Sequence, residues 1–221
     1  MAWGQFGALH ILTLLAAAGI VVGLYFALKR ASGRTQDLVL GVLSFSGVAA
    51  VIYNYNVYGS LPLQLCSLNA MLLPVLVLTK NQIIGNLLLL WGLGAGAALV
   101  YNVNVAAEPI FGTAFNLYYF PHVMEWGIPW LMLLLGQVKK QPKYILTTLG
   151  ITAAVYTLVH FINLALGTNY MYSMGPTTPL AQSLWDLLPC RYWYMYLLIP
   201  MVAVFFLAVY AAEKKSARPK K

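Results

Sequence analysis

The stretch LPLQLCSLNAMLLPVLVLTKNQIIGNLLLLWGLGAGAALV, residues 61–100, decides the fold class of this chain. It contains two apolar blocks joined only by the tripeptide KNQ, and Lys80 is the single charged residue in the whole stretch. Each block is long enough to cross a hydrocarbon core of about 30 Å. The pattern therefore predicts two antiparallel membrane helices, over 61–79 and 83–101, with a short connection between them.

The same pattern extends over the rest of the chain. Of its 221 residues 61% are hydrophobic and only 8% are charged, whereas about 25% of the residues of soluble domains are charged. We predict an all-α polytopic membrane protein, a single domain over 1–221 formed by a bundle of seven transmembrane helices. The predicted spans are 8–28, 37–58, 61–79, 83–101, 117–136, 144–167 and 191–212. No cleavable signal peptide is expected, because the first apolar block is too long and lacks an evident cleavage site.

Basic residues fall on alternate connections between the predicted helices. Of the 13 Lys and Arg residues, all but Arg191 lie in the first, third and fifth connections or in the C-terminal tail. Under the positive-inside rule this distribution predicts an N-terminus outside and a C-terminus inside. The net charge of +8 is thus a topology signal whose natural partner is anionic lipid, and no nucleic-acid partner is expected.

Polar side chains gather in the outer half of the predicted bundle. At a rise of about 1.5 Å per residue, Cys66 lies about 7 Å below the predicted start of its helix, and His122 lies at a similar depth in the fifth helix. Glu125 follows one turn later on the same face. The same half contains His10, Asn54, Gln64, His160 and Asn163. Because polar groups are costly in hydrocarbon, we predict one polar cavity that opens outward, with the 168–190 loop and its Asp186 as the rim.

These residue types suit thiol chemistry. A cysteine becomes a nucleophile when an imidazole accepts its proton and a third group orients the imidazole. Cys66 and His122 are the candidates, with Glu125, His160 or Asn163 as the orienting group. Zinc is a competing interpretation, because three His, one Cys and one Glu are zinc ligands. However, no H-x-x-x-H or C-x-x-C spacing specifies a metal site, and we expect neither metal nor cofactor.

Structural interpretations compete with each of these assignments. A lone membrane cysteine such as Cys66 is often a small apolar filler, and His10 suits an interfacial position. Polar residues in membrane helices often form interhelical hydrogen bonds; this interpretation applies to Ser67, Asn69 and Asn86. An interfacial aromatic belt accounts for Tyr118, Tyr119, Trp193, Tyr194 and Tyr196. The chain as a whole also suits a non-catalytic binding or transport protein, or a structural subunit in which His122 pairs with Glu125 in a dry bundle.

Five segments of the chain resemble a known family. They are FGALHILTLL, LPLQLCSLNAMLLP, YYFPHVMEWG, LVHFINLALGTNYMYSMGPTTP and LWDLLPCRYWYMY. They resemble the YwaF-type family of bacterial integral membrane proteins, which is similar to the eukaryotic transmembrane protein 164 group. The chain departs from the family pattern after NYMY, where Gly175-Pro176 replaces a Lys-Pro, and in the segment LPCRYWYMY.

The resemblance implies a function as well as a fold. The eukaryotic branch is a group of phospholipid acyltransferases that use a cysteine nucleophile and a histidine, and the matching residues are Cys66 and His122. We therefore expect an acyltransferase or acyl hydrolase of the bacterial cell membrane, with a membrane phospholipid as substrate. Expected substrate-binding residues are His10, Asn54, Gln64, Asn169, Tyr170 and Asp186. Among these, His10, Asn169 and Tyr170, together with Asn163, match family positions without an assigned role.

Overall fold

The computed structural model describes residues 2–101, 105–177 and 179–187, and throughout these ranges the regular structure is helical. Its helices are α1 (Ala8–Leu28), α2 (Gly33–Tyr58), α3 (Leu65–Thr79), α4 (Gln82–Tyr101), α5 (Thr113–Leu134), α6 (Ile145–Leu166) and α7 (Pro179–Leu187). Short 3₁₀ turns cover Pro142–Tyr144 and Tyr170–Tyr172. The all-α prediction is confirmed, whereas the predicted span 191–212 lies outside the described residues.

The helix α7 corrects one expectation, since it forms inside the segment 168–190 that the sequence analysis treats as a loop. It begins at Pro179, and proline is favoured at the first position of a helix because its φ is already helical. Across one turn, Gln182 Nε2 donates to Asp186 Oδ1 at 2.8 Å, a spacing that stabilises exposed helices.

Four helices of the described ranges are long and apolar enough to cross a membrane: α1, α2, α4 and Pro142–Leu166. The helix α3 is shorter, with 15 residues, because Gln64 is extended and Pro62 disfavours helical geometry in the residue that precedes it. The helix α5 is long enough but not apolar enough to be counted with these four, because it contains polar residues such as His122 and Glu125. A membrane-embedded helical protein is therefore established, while the count of seven spans stays a prediction.

The central helix of the first part of the chain is α5. It packs against α1, α2, α3 and α4, and its buried residues extend from Phe115 to Met132. The outer surfaces of α1 and α2 are apolar instead, with Leu12, Leu38 and Val42 more than half exposed. Apolar residues outside and polar residues inside are the arrangement that a lipid environment favours. This arrangement shelters the ionisable residues of α5 from lipid.

Two glycines allow the helices around Glu125 to pack closely, one where α2 meets α3 and one where α4 meets α5. A Cβ on Gly47 of α2 would lie 2.7 Å from the Cβ of Ala70 in α3 and 3.6 Å from Glu125 Oε1. A Cβ on Gly92 of α4 would lie 2.9 Å from the Glu125 backbone oxygen. Small residues at such crossings allow the dense packing that holds membrane helices together. As a result α2, α3 and α4 all meet α5 at the level of Glu125.

A polar network closes one end of these five helices. Lys80 Nζ, after α3, forms an ion pair with Asp37 Oδ2 of α2 at 2.7 Å. Gln137 Nε2, after α5, donates to Asp37 Oδ1 at 3.2 Å. Gln82 Nε2, at the start of α4, donates to the Gln137 carbonyl at 3.2 Å. The start of α2, the end of α3, the start of α4 and the end of α5 therefore lie together.

The opposite end is joined by aromatic and imidazole side chains. His10 Nε2, near the start of α1, donates to the Leu99 carbonyl in the last turn of α4 at 2.8 Å. Tyr119 OH, in the first half of α5, donates to the Thr13 carbonyl of α1 at 2.7 Å. Helices α1 to α5 thus alternate in direction.

The chain divides into two compact units, Met1–Lys139 and Lys140–Lys221. The first unit contains α1 to α5, and the second contains α6 and α7. Within the second unit, α6 packs against both 3₁₀ turns. The prediction of a single domain stays a prediction.

Candidate functional site

Cys66 lies in the first turn of α3. The helix begins at Leu65, and Gln64 is an extended N-cap residue whose side chain makes no capping hydrogen bond. The first backbone N–H groups of a helix have no intrahelical acceptor and carry the positive end of the helix dipole. The residue as a whole is partly exposed. Cys66 is therefore placed beside a helix end that favours a bound anion.

Glu125 lies at the junction of four helices, with Oε1 beside the position on α2 where Gly47 packs on Ala70 of α3. Its side chain is 2% exposed, and Oε2 has no hydrogen-bond partner among the described residues. Within the described ranges no cation pairs with it. A buried carboxyl without a partner is rare in folded proteins and needs an explanation, which is often functional.

His122 is held in one tautomer by its own helix. The side chain is 7% exposed, and Nδ1 lies 2.6 Å from the Tyr118 carbonyl oxygen. A carbonyl only accepts hydrogen bonds, so Nδ1 carries the proton and Nε2 of the neutral ring carries the lone pair. The imidazole therefore presents Nε2 as a base.

The group that orients His122 is Tyr118, whereas the sequence analysis expects Glu125, His160 or Asn163 in this role. Besides accepting from Nδ1, Tyr118 stacks its ring on the imidazole, with the ring centroids 4.2 Å apart. Its hydroxyl donates to the Ala98 carbonyl of α4 at 2.8 Å. The interfacial-belt interpretation misses this contact. The available signal is the i, i+4 spacing of the two residues on one helix face.

The pairing of Cys66 with His122 stays a prediction. No hydrogen bond joins the thiol to the imidazole in the part of the chain that the structure describes. The expected equal depth assumes helix starts at 61 and 117, whereas α3 begins at Leu65 and α5 begins at Thr113. The described contacts place the Glu125 carboxyl beside Gly47, the residue of α2 that packs on Ala70 of α3.

Asn69 corrects a second interpretation. It is 0% exposed, and neither Oδ1 nor Nδ2 has a hydrogen-bond partner in the ranges that the structure describes. Within those ranges the interhelical hydrogen bond expected of this residue is absent. Asn86, assigned the same role, does make such bonds: its Nδ2 donates to the Gln82 carbonyl at 2.7 Å and to the Lys139 carbonyl at 3.0 Å. Of these two buried asparagines of the first unit, Asn86 has its amide hydrogen-bonded to backbone carbonyls and Asn69 does not.

His10 is a structural link within the first unit. It is fully buried, its Nδ1 accepts from the Phe6 N–H at 2.9 Å, and its Nε2 donates to the Leu99 carbonyl at 2.8 Å. Both ring nitrogens of the neutral imidazole are thus occupied by backbone groups. Trp3 packs edge-on against the ring at 5.3 Å. This geometry favours an anchor between α1 and α4 over the expected contact with substrate.

In the second unit, Asn163 organises the chain after α6. Its Nδ2 donates to the Tyr170 carbonyl at 2.8 Å and to Ser173 Oγ at 2.7 Å. Its Oδ1 accepts from the Tyr170 N–H at 2.9 Å and from Thr168 Oγ1 at 2.7 Å. His160 Nδ1 lies 3.1 Å from the same Ser173 Oγ. His160 and Asn163 are thus brought together with each other, one turn apart, around a buried serine.

These bonds hold an unusual backbone in the NYMY segment. Met171 and Tyr172 have φ angles of 53° and 55°, in the left-handed region that costs non-glycine residues energy. Asn169 fixes the segment from its other side, since Oδ1 accepts from the Met174 N–H at 2.9 Å and Nδ2 donates to the Gly175 carbonyl at 3.0 Å. The side-chain amides of this segment therefore serve its own conformation.

The remaining predicted substrate-binding residues lie at element ends. Asn54 is exposed near the end of α2, where its carbonyl accepts from the Gly59 N–H. Gln64 precedes α3, and Asp186 is exposed on α7. The described residues contain no group of three or more His, Cys, Asp or Glu side chains that could hold a metal ion.

Comparison with known proteins gives one match. The model of the TMEM164 family matches residues 5–210, which covers nearly the whole chain and confirms the resemblance to the transmembrane protein 164 group. The YwaF-type name stays a prediction. No curated protein and no solved structure matches the chain.

Proposed function

Because the chain belongs to the TMEM164 family, we propose that it is a phospholipid acyltransferase or acyl hydrolase that works through a thioester on Cys66. The observation that carries the proposal is the meeting of the first turns of α3 with the Glu125 turn of α5. A cysteine in the first turn of α3, a buried carboxyl on α5 and an imidazole of defined tautomer one turn from that carboxyl support the proposal. Such perturbed groups cluster at reactive sites.

The proposed reaction proceeds in two transfers. Cys66 Sγ attacks the ester carbonyl carbon of a phospholipid while His122 Nε2 accepts the thiol proton. The carbon–sulfur bond forms, the ester carbon–oxygen bond breaks, and the imidazolium returns the proton to the departing lysophospholipid oxygen. A second lipid hydroxyl or a water then takes the acyl group and restores the thiol. Catalytic hydrogen bonds such as this one often tighten only when substrate is bound.

A membrane lipid suits the position of the site. The acyl chains of a phospholipid stay in hydrocarbon, beside the apolar outer faces of α1 and α2, while its ester reaches the polar side chains between the helices. We include Gln64, at the entrance to α3, among the proposed substrate contacts.

The proposed setting is a bacterial cell membrane, with the N-terminus outside, the C-terminus inside and seven spans that include 191–212. The alternating directions of α1 to α5 support this arrangement. The basic residues of the first unit's polar end also support it, since positive charge favours the inner face.

The proposal is tested with purified protein in detergent micelles, a phosphatidylcholine labelled in one acyl chain as donor and a lysophospholipid as acceptor. Cys66→Ala and His122→Ala should each reduce release or transfer of the label by at least about 1,000-fold, because they remove the nucleophile and its base. Cys190→Ala, at the second cysteine of the chain, is the matched control and should retain turnover. Full activity of Cys66→Ala with an unchanged unfolding temperature would refute the thioester.

A second candidate is a lipid-binding or transport protein with no covalent step. The absence of a hydrogen bond between Cys66 and His122 within the described ranges favours it, as does the unpartnered Glu125 carboxyl. In that case Cys66→Ala is silent, whereas Glu125→Gln weakens binding of a fluorescent phospholipid to the protein.

A further inference from the structure

We propose that Asn69 is a catalytic residue whose Nδ2 binds the oxyanion that forms when Cys66 attacks the ester carbonyl. The inference rests on the proposed function and adds to it a residue that the sequence analysis interprets as structural. It is argued from the burial of Asn69, its position relative to Cys66 and the donors beside it.

Asn69 is buried with both of its hydrogen-bonding atoms unpaired. The side chain is 0% exposed, and neither Nδ2 nor Oδ1 has a partner among the residues that the structure describes. Leaving a buried amide unpaired destabilises a fold, so native structures nearly always satisfy such groups. Asn86 shows how this fold treats a structural asparagine, since its amide donates to two backbone carbonyls. The unpaired Asn69 amide is instead available to a ligand.

Asn69 lies on the same face of α3 as Cys66. It follows Cys66 by three residues, so the two side chains lie on one face of the helix. Side chains of an α-helix lean toward its N-terminus, and the Asn69 amide therefore leans toward the turn that carries the thiol. Ala70, the next residue, contacts α2 at Gly47, beside the Glu125 carboxyl. Cys66 is partly exposed as a residue whereas Asn69 is fully buried, so an ester that reaches the thiol would direct its carbonyl oxygen inward toward the amide.

The first backbone N–H groups of α3 are further hydrogen-bond donors near Cys66. The first backbone N–H groups of α3 lack intrahelical acceptors, and the Gln64 side chain does not cap them. A carbonyl oxygen beside Cys66 can thus accept from a backbone N–H and from Asn69 Nδ2 together. One backbone donor and one side-chain amide form an effective oxyanion hole in acyl transfer.

In this arrangement the electron pair of the carbonyl π bond moves to oxygen as the carbon–sulfur bond forms. The negative charge on that oxygen is stabilised by Asn69 Nδ2–H, and the thiol proton resides on His122. Collapse of the intermediate restores the carbonyl and expels the lysophospholipid oxygen, which takes the proton. The contribution of Asn69 is confined to this charged intermediate.

The experiment compares two reactions of the same thiol. Acylation of Cys66 by the labelled phosphatidylcholine passes through an oxyanion, whereas alkylation by iodoacetamide does not. Asn69→Leu, which keeps the volume but removes the donor, should slow acylation about 100- to 1,000-fold. It should leave the alkylation rate within about twofold and the unfolding temperature unchanged or higher, because it removes an unpaired buried amide. Asn69→Asp provides a second variant that retains the shape and loses the N–H donor.

Asn86→Leu is the matched control. It should lower the unfolding temperature, because its carbonyl partners lose their donor, and leave acylation by the folded protein unchanged. Acylation by Asn69→Leu within twofold of the unaltered protein would overturn the proposal, and so would an equal loss of alkylation and acylation. If Cys66→Ala retains lipid turnover, the proposed function itself fails, which the Asn69 variants alone would not show.

Discussion

At the residue scale, the buried polar side chains of this protein are of two kinds. His10, Asn86 and Asn163 donate to backbone carbonyls of neighbouring elements, and each holds two parts of the chain together. Asn69 and Glu125 are also buried, but Asn69 Oδ1 and Nδ2 and Glu125 Oε2 have no hydrogen-bond partner in the described part of the chain. An unpaired buried group lowers stability, and the proposed function would give such a group a ligand.

The anchoring role of His10 leads to a stability prediction. His10→Leu leaves the Phe6 N–H and the Leu99 carbonyl unpaired, so the free energy of unfolding should fall by about 2 kcal/mol or more. Lipid turnover by the protein that remains folded should be unchanged. Thermal unfolding and turnover are measured together, with Asn56→Ala at an exposed position as a control expected within about 0.5 kcal/mol. Loss of turnover at full stability would instead make His10 a substrate contact.

At the element scale, the central position of α5 explains how a helix with His122 and Glu125 is accommodated in an apolar protein. It is enclosed by α1 to α4, and the glycines of α2 and α4 allow the enclosing backbones to approach. The same close packing makes α3 part of the site although it is the shortest helix of the first unit. Sites built on packed helices keep their side chains in defined positions.

The approach of α2 to α3 is tested at Gly47. Gly47→Ala places a Cβ 2.7 Å from that of Ala70, so the helices must separate and stability should fall by about 1–3 kcal/mol. Gly41→Ala on the same helix is the matched control, because the nearest atom there is 4.0 Å away. It should be neutral or stabilise by up to about 1 kcal/mol. Failure of the double variant Gly47→Ala/Ala70→Gly to recover stability in chemical unfolding would contradict this account.

At the scale of the whole molecule, hydrogen bonds sort the ends of α1 to α5 into two groups. One group contains the Asp37–Lys80 ion pair and the connections that carry Lys29, Arg30, Arg34 and Lys139. The other contains His10, Leu99 and the start of α5. The charge distribution and the tertiary contacts are independent, and both require alternating helix directions.

Orientation in the membrane is tested by labelling introduced cysteines in the background Cys66→Ala/Cys190→Ala. Gly33→Cys lies after the basic end of α1, and Ser60→Cys lies between α2 and α3. In intact cells a membrane-impermeant maleimide should label Ser60→Cys at once and Gly33→Cys only after lysis. Labelling of both positions, or of neither, in intact cells would contradict the predicted topology.

The sequence alone determines that this is a helical membrane protein and in which order its helices alternate. Hydropathy and charge are local properties of the chain, so an apolar block such as 83–101 indicates a membrane helix whatever the rest of the chain does. Residue spacing also places Cys66 with Asn69, and His122 with Glu125, on common helix faces, and family resemblance identifies the thiol and the imidazole. The ends of α3 and α5 differ from the apolar blocks, because Pro62 delays one start and polar residues extend the other helix.

Only the tertiary structure decides which of these faces meet. The sequence gives the position of a residue along its helix, but the rotation of each helix about its axis depends on packing against every neighbour. Gly47 and Ala70 set one such contact, and it places the Glu125 carboxyl of α5 beside the crossing of α2 and α3. Packing likewise leaves Asn69 unpaired and Asn86 paired, although the two residues have the same chemistry, because a buried amide is satisfied only by what the surrounding helices present to it.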